Sequence, residues 1–144
     1  MLLAIDIGNT NINLALFRGN RLLRRYIIPT KVKNYKSYLQ RIVNRNNIHD
    51  AIICSVVPVV SKLMEKELRK LLGKQPYIIG KGIKVPINNL YLKPKQVGQD
   101  RLVNAYAGVK LYGAPLIAVD FGTAVTFDVV SRNKEYLGGM ILPG

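Results

Sequence analysis

Apolar residues recur along the chain at two spacings, and the switches between them mark out its elements. Residues 2–7 and 12–17 alternate as two strands around a Gly8-Asn9-Thr10 turn. Gly19-Asn20 is a two-residue hairpin signal, and residues 22–28 follow as a third strand. Over residues 35–46, the set Tyr35, Tyr38, Leu39, Ile42 and Val43 follows the i, i+3, i+4 spacing of an amphipathic helix. Residues 51–56 form a short buried strand. Pro58 then opens a second helix with Val60, Leu63, Met64, Leu68, Leu71 and Leu72 on its apolar stripe and Gly73 as its stop. Residues 77–80 give another strand, and residues 85–97, with Pro86 and Pro94, read as a loop. A third helix begins near Gln99 or Asp100, carries Leu102, Tyr106 and Val109 inward and stops at Gly113. The order β-β-β-α-β-α-β-α predicts an α/β fold, a mixed sheet with helices on its faces.

After Pro115 the opening pattern returns. An apolar run again ends in Asp-x-Gly, and Asp6-Ile7-Gly8-Asn9-Thr10 aligns with Asp120-Phe121-Gly122-Thr123-Ala124 before another alternating strand. Such self-similarity predicts an internal duplication, with a first domain over residues 1–113 and the start of a second over residues 114–144. The second unit is expected to contain two strands and a Gly138-Gly139 turn within GGMILPG. Two strands alone are marginal in water, so the expectation is an N-terminal fragment whose second domain is completed elsewhere, with little activity by itself.

Composition narrows the setting. The chain is 49% hydrophobic, yet runs such as AIICSVVPVV are too short to span a bilayer, and no signal-peptide pattern opens the sequence. Cys54 is the single cysteine, which excludes an internal disulfide framework and suits a reducing, cytoplasmic protein without a membrane partner. The net charge of +14 points either to an anionic partner or to a solvated basic surface. The basic residues are scattered and lack interleaved stacking aromatics, so nucleic acid is not expected as the main partner.

The positions of the acids say more than their number. Asp6, Asp100, Asp120 and Asp128 are four of five aspartates, and all four read as lying in or beside glycine-containing turns. Neither the Walker G-x-x-x-x-G-K-[ST] nor the Rossmann G-x-G-x-x-G occurs. A hairpin-type phosphate clamp remains: Gly8 permits backbone approach, Asn9 and Thr10 donate, and Asp6 acts through a divalent cation such as magnesium. Either turn alone is equally well an ordinary Asx-capped turn. Two copies in matching frames favour a nucleotide held between two domains. His49 is the single histidine and reads as a loop residue, and Cys54 as a small buried hydrophobe.

These motifs resemble those of the type III pantothenate kinases. The resemblance rests on Asp6-x-Gly8-Asn9-Thr10, on Gly98-Gln99-Asp100-Arg101 with Asn104-Ala105, on Asp120-Phe121-Gly122-Thr123-Ala124 with Thr126 and Asp128, and on the closing GGMILPG. It implies an actin-like, ribonuclease H-like fold of the sugar-kinase/actin superfamily, and transfer of the γ-phosphoryl group of ATP to the 4′-hydroxyl of pantothenate, the first step toward coenzyme A. On the same resemblance Asp6, Ile7, Gly8, Asn9, Thr10, Asn11, Ile12 and Asn13 form the ATP phosphate loop, and Thr123 also binds ATP. Tyr91, Gly98, Gln99, Asp100 and Arg101 contact pantothenate, Asp100 is the proton acceptor, and Asp120 holds a monovalent cation, potassium or ammonium. A homodimer is implied as well. Taken residue by residue, Asp100 could equally be a helix N-cap, and Arg101 either a bidentate fork for carboxylate or phosphate or a surface partner of Asp100. Ser55-Val56 with Pro58 resembles a family segment beside the nucleotide, with simple helix initiation as the alternative. Lys93 stands where the family pattern Tyr-x-Asn-Pro has Asn. The rival function is a non-catalytic relative acting as a transcriptional accessory or nucleic-acid-binding protein.

Overall fold

Strand β1 (Leu2–Ile7) alternates because Leu3, Ile5 and Ile7 all enter the core, and it is flanked on both sides. It pairs antiparallel with β2 (Asn11–Arg18) and parallel with β4 (Asp50–Ser55). The computed structural model describes residues 1–32 and 34–144, which divide into two units, Met1–Ile83 and Lys84–Gly144.

In the first unit, β2 turns at Gly19, whose φ of +57° suits the two-residue loop, into the edge strand β3 (Arg21–Pro29). Helix α1 (Tyr35–Arg45) is capped by Asn34, whose side chain accepts from the Ser37 amide at 3.1 Å. Helix α2 (Pro58–Leu72) starts with proline in its first turn and ends at Gly73 in the left-handed region, as its sequence predicts. Before it, the Val57 amide donates to Ser55 Oγ at 3.0 Å, a local turn that accounts for the Ser-Val-x-Pro segment as helix initiation. Strands β5 (Tyr77–Ile79) and β6 (Gly82–Ile83) complete a sheet of order β3-β2-β1-β4-β5-β6. Fifteen buried hydrophobic residues form its core, among them Ile12, Leu14, Leu39, Ile53, Met64 and Leu68. Cys54 is buried in β4, and His49 lies in a loop with Nε2 3.0 Å from Asn47 Oδ1.

In the second unit, β7 (Asn88–Asn89), β10 (Glu135–Pro143), β9 (Ala124–Val130) and β8 (Leu116–Phe121) form a sheet in that order. Helix α3 (Gln99–Tyr112) shares a small core with it, made by Val97, Leu102, Ala105, Val130 and Tyr136. Ile117, Val119 and Phe121 alternate away from this core and are exposed.

The two units divide after Ile83, whereas the sequence pattern ends its first domain at residue 113; Leu102 and Ala105 bind α3 to the strands that follow it. Three readings change here. The expected loop over residues 85–97 carries the β7 pairing and a 3-10 turn at Pro94–Gln96. Ala105, not Tyr106, takes the inward place on α3, and Tyr106 instead lies under the Lys110 ammonium at 5.5 Å. Gly138-Gly139 is not a turn: it lies inside β10, where the ladder to β9 outweighs the turn preference of the pair and a bulge falls between Tyr136 and Gly138. Among the described residues, no helix is long and apolar enough to cross a membrane.

Candidate active site

The residues singled out from the sequence fall into both units, and each set has its own geometry. In the first unit the turn Gly8-Asn9-Thr10 joins β1 to β2. The Gly8 amide donates to the Asn11 carbonyl at 3.0 Å, and a Cβ at Gly8 would sit 3.1 Å from that same oxygen. Thr30, buried at the end of β3, holds the turn twice: its hydroxyl donates to the Gly8 carbonyl at 2.7 Å and its amide to the Thr10 carbonyl at 2.9 Å. Asp6 pairs in register with Asn13, so their side chains share one face with Asn11, and all three are exposed. Asn9 and Thr10 are exposed too. Ile7 and Ile12 differ from the rest of the expected phosphate loop, because their side chains are wholly buried in the core and only their backbone can serve a ligand.

In the second unit Gly98 is the N-cap of α3, without a side-chain cap, and Asp100 lies in the first turn. Asp100 is therefore not the cap. Its Oδ1 is buried and makes no hydrogen bond among the described residues. Gly98 makes room for it, since a Cβ there would come within 2.3 Å of that oxygen. A buried acceptor without a donor costs about 1–3 kcal/mol, so its retention calls for an explanation beyond helix stability.

Arg101 turns into the unit, away from the surface pairing with Asp100 that its neighbour suggested. Its Nε donates to Asp128 Oδ1 at 2.7 Å, and its Nη2 donates to the Phe127 carbonyl at 3.1 Å. Nη2 also lies 2.7 Å from Asp128 Oδ1. The Nε–Nη2 edge, one of the two that could grip a carboxylate bidentately, is thus already engaged by Asp128. Tyr136 donates its hydroxyl to the same Asp128 oxygen at 2.7 Å. Burial and that hydrogen bond push the Tyr136 phenol well above its ordinary range, which keeps the donor proton in place. Asp128 itself is 1% exposed and lies in mid-strand, not beside a turn.

The two consecutive glycines of β10 make this arrangement possible. At Gly139 a Cβ would fall 1.7 Å from the Phe127 carbonyl oxygen and 2.6 Å from Arg101 Nη2. At Gly138, with φ +127°, it would press into the ring of Tyr91 at 2.8 Å. Tyr91 and Arg101 therefore both pack on β10. The Tyr91 amide donates to Asn89 Oδ1 at 3.1 Å, while Gln99 is half-buried in the first turn of α3 and Lys93 is exposed. Asp120 is exposed at the end of β8, where Asn104 Nδ2 donates to its Oδ2 at 3.1 Å. Thr123 lies in the next turn, closed by the Gly122 amide on the Ala124 carbonyl at 3.1 Å.

Sequence reasoning gave Asp128 no position in this network and passed over Tyr136. The signal was present: in AVTFDVV, Asp128 shares its alternation with Val130, a core position, and an inward carboxylate requires a buried cation or donor.

The fold is that of the sugar-kinase/actin class. A crystal structure of the Aquifex aeolicus Ppx/GppA phosphatase, 11% identical, superposes with a TM-score of 0.53 over 99% of this chain and 51% of that one. Within the class, the profile of the type III pantothenate kinase family matches residues 2–144, and the chain belongs to that family. A type III pantothenate kinase of Agathobacter rectalis is 41% identical across the whole chain and 59% of its own length. One of Finegoldia magna is 43% identical across the whole chain and 58% of its length. The chain thus spans about three-fifths of these curated relatives.

Proposed function

We propose that the protein carries part of the machinery of an ATP-dependent pantothenate kinase, with Asp100 as the group that accepts the proton of the pantothenate 4′-hydroxyl. The observation that carries this reading is the buried, unpartnered Oδ1 of Asp100 at the start of α3, an acceptor with no donor of its own. A substrate hydroxyl supplies that donor. As its oxygen bonds to the γ-phosphorus, the bond from phosphorus to the β–γ bridging oxygen breaks, ADP leaves, and the proton passes to the carboxylate. Tyr91, Gly98, Gln99 and Arg101 form the acceptor side of this proposal.

The exposed polar side chains from Asp6 to Asn13, with the Gly8 backbone, serve the ATP phosphates, and Thr123 serves ATP as well. Among the described residues no three or more of His, Cys, Asp and Glu gather to hold a metal. Asp6 would hold magnesium together with the phosphates, since that ion is usually bound through only one or two carboxylates plus substrate phosphates. Magnesium supplies neutralisation of the phosphate charge. Asp120, an exposed carboxylate beside Asn104, is suited to a monovalent cation, potassium or ammonium, through oxygen donors alone. A cytoplasmic homodimer belongs to the same reading. The transcriptional alternative is not favoured, since the matched relatives are named as kinases.

The test is calorimetric binding of pantothenate together with pantothenate-dependent ADP formation in the presence of ATP, magnesium and potassium. Pantothenate is expected to bind. Asp100→Asn is expected to abolish any phosphorylation while changing pantothenate affinity by no more than about threefold, the pattern of a group needed in the transition state. No pantothenate binding by the wild-type chain would overturn the reading.

A further inference from the structure

We propose that Asp128 and Tyr136 are positioning residues that commit Arg101 to meeting the carboxylate of pantothenate end-on, through Nη1. The inference rests on the pantothenate reading above and adds to it a division of labour within one guanidinium. Arg101 has five N–H donors. Those on Nε and Nη2 are spent inside the unit, on Asp128 Oδ1 and the Phe127 carbonyl. Nη1 makes no hydrogen bond among the described residues, although the side chain is only 13% exposed. A cation placed so deep needs its direction fixed, because a guanidinium that rotated would break two buried bonds at once.

Three observations independent of the substrate fix that direction. Asp128 is almost wholly buried, and its Oδ1 receives Arg101 Nε and the Tyr136 hydroxyl together. The Tyr136 side chain is fully buried in the core of the unit, which pins Asp128 in turn. Gly139 removes the one side chain that would displace Nη2. A network assembled merely to stabilise α3 would not need a charged donor with one nitrogen unspent. A network that presents a single nitrogen to an anion would.

The prediction concerns charge selectivity rather than affinity alone. Panthenol, the alcohol analogue of pantothenate, keeps both hydroxyls and carries a neutral CH2OH in place of the carboxylate, so it reports everything except the charged contact with Nη1. Wild type is expected to prefer pantothenate. Asp128→Asn is expected to weaken pantothenate binding about tenfold while leaving panthenol within about twofold, as for a displaced partner in a buried charged pair. Tyr136→Phe, which removes only a hydroxyl, is expected to lower the same preference about threefold. Affinity for ATP should be unchanged in both. Both affinities are read by calorimetry, with circular dichroism confirming the fold; should Asp128→Asn not fold, Tyr136→Phe carries the test. Equal losses for the two ligands, an unchanged preference, or tighter pantothenate binding in the variants would overturn the proposal. Failure of wild type to bind pantothenate at all would instead overturn the functional reading on which it stands.

Discussion

The two Asp-x-Gly turns share a sequence pattern but not a foundation. The first, Gly8-Asn9-Thr10, leaves a strand paired on both sides and stands on Ile7 and Ile12, both wholly buried. Thr30 then holds two of its carbonyls. The second, Gly122-Thr123, leaves the edge strand β8, and the residue before it, Phe121, is 82% exposed. The cores beneath follow the same contrast. The first unit is stabilised by a broad apolar cluster, whereas the second combines five buried hydrophobes with a buried Arg–Asp–Tyr network. The same strand-turn-strand can therefore be made rigid by apolar packing or be left light where polar contacts locate the neighbouring chemistry.

The largest effect that would test this contrast comes from truncating matched positions. Ile7→Ala is expected to destabilise the first unit by about 3 kcal/mol, whereas Phe121→Ala should change stability by less than about 0.5 kcal/mol. Urea unfolding monitored for each variant checks it; comparable losses would erase the distinction. A smaller effect isolates the buttress. Thr30→Val removes the hydroxyl donor to Gly8 at nearly constant volume and should cost about 1 kcal/mol, with faster amide exchange confined to residues 8–11. The smallest concerns the surface of the first unit, where Lys74 Nζ lies 2.7 Å from Asp50 Oδ1. That hydrogen bond holds the Asp50 carboxyl below its ordinary value and raises Lys74 above its own. The Asp50 contribution is present above the unfolded carboxylate value and lost as pH falls through the folded one. The Lys74 contribution is present below the ordinary lysine value and lost as pH rises through the folded one. Both groups are exposed, so the acid-side fall in melting temperature attributable to the pair should be slight and should vanish in about 1 M salt. Comparing wild type with Asp50→Asn reads it.

Most of the first unit was legible because its signals are local. Pro58 and Gly73 bracket α2, Gly19-Asn20 closes a hairpin, and strict alternation marks β1 and β2. What escaped the sequence depends on distant partners. Strands β6 and β7 are two residues each, too short for periodicity to register. Gly138-Gly139 looks like punctuation until β9 is laid beside it. The site divided along the same line. Asp100 stood out through its neighbours Gly98 and Arg101, but the orientation of Arg101 is set by Asp128, which lies on β9, far along the chain. The inward burial of Ile7 and Ile12 was readable from alternation, yet the family pattern drew both into the phosphate loop as ligands.

The crowding at Gly139 reaches beyond this one molecule. Every amino-acid replacement there adds at least a β-carbon, and the nearest obstacle is a backbone oxygen that no neighbouring side-chain change can move away. Position 139 is thus closed to gradual drift, and a lineage could abandon its glycine only by rebuilding the pairing of β9 with β10. Lys93, exposed in its loop, lies under no such restriction. At position 139 the fold dictates the residue, while at position 93 it sets no comparable limit.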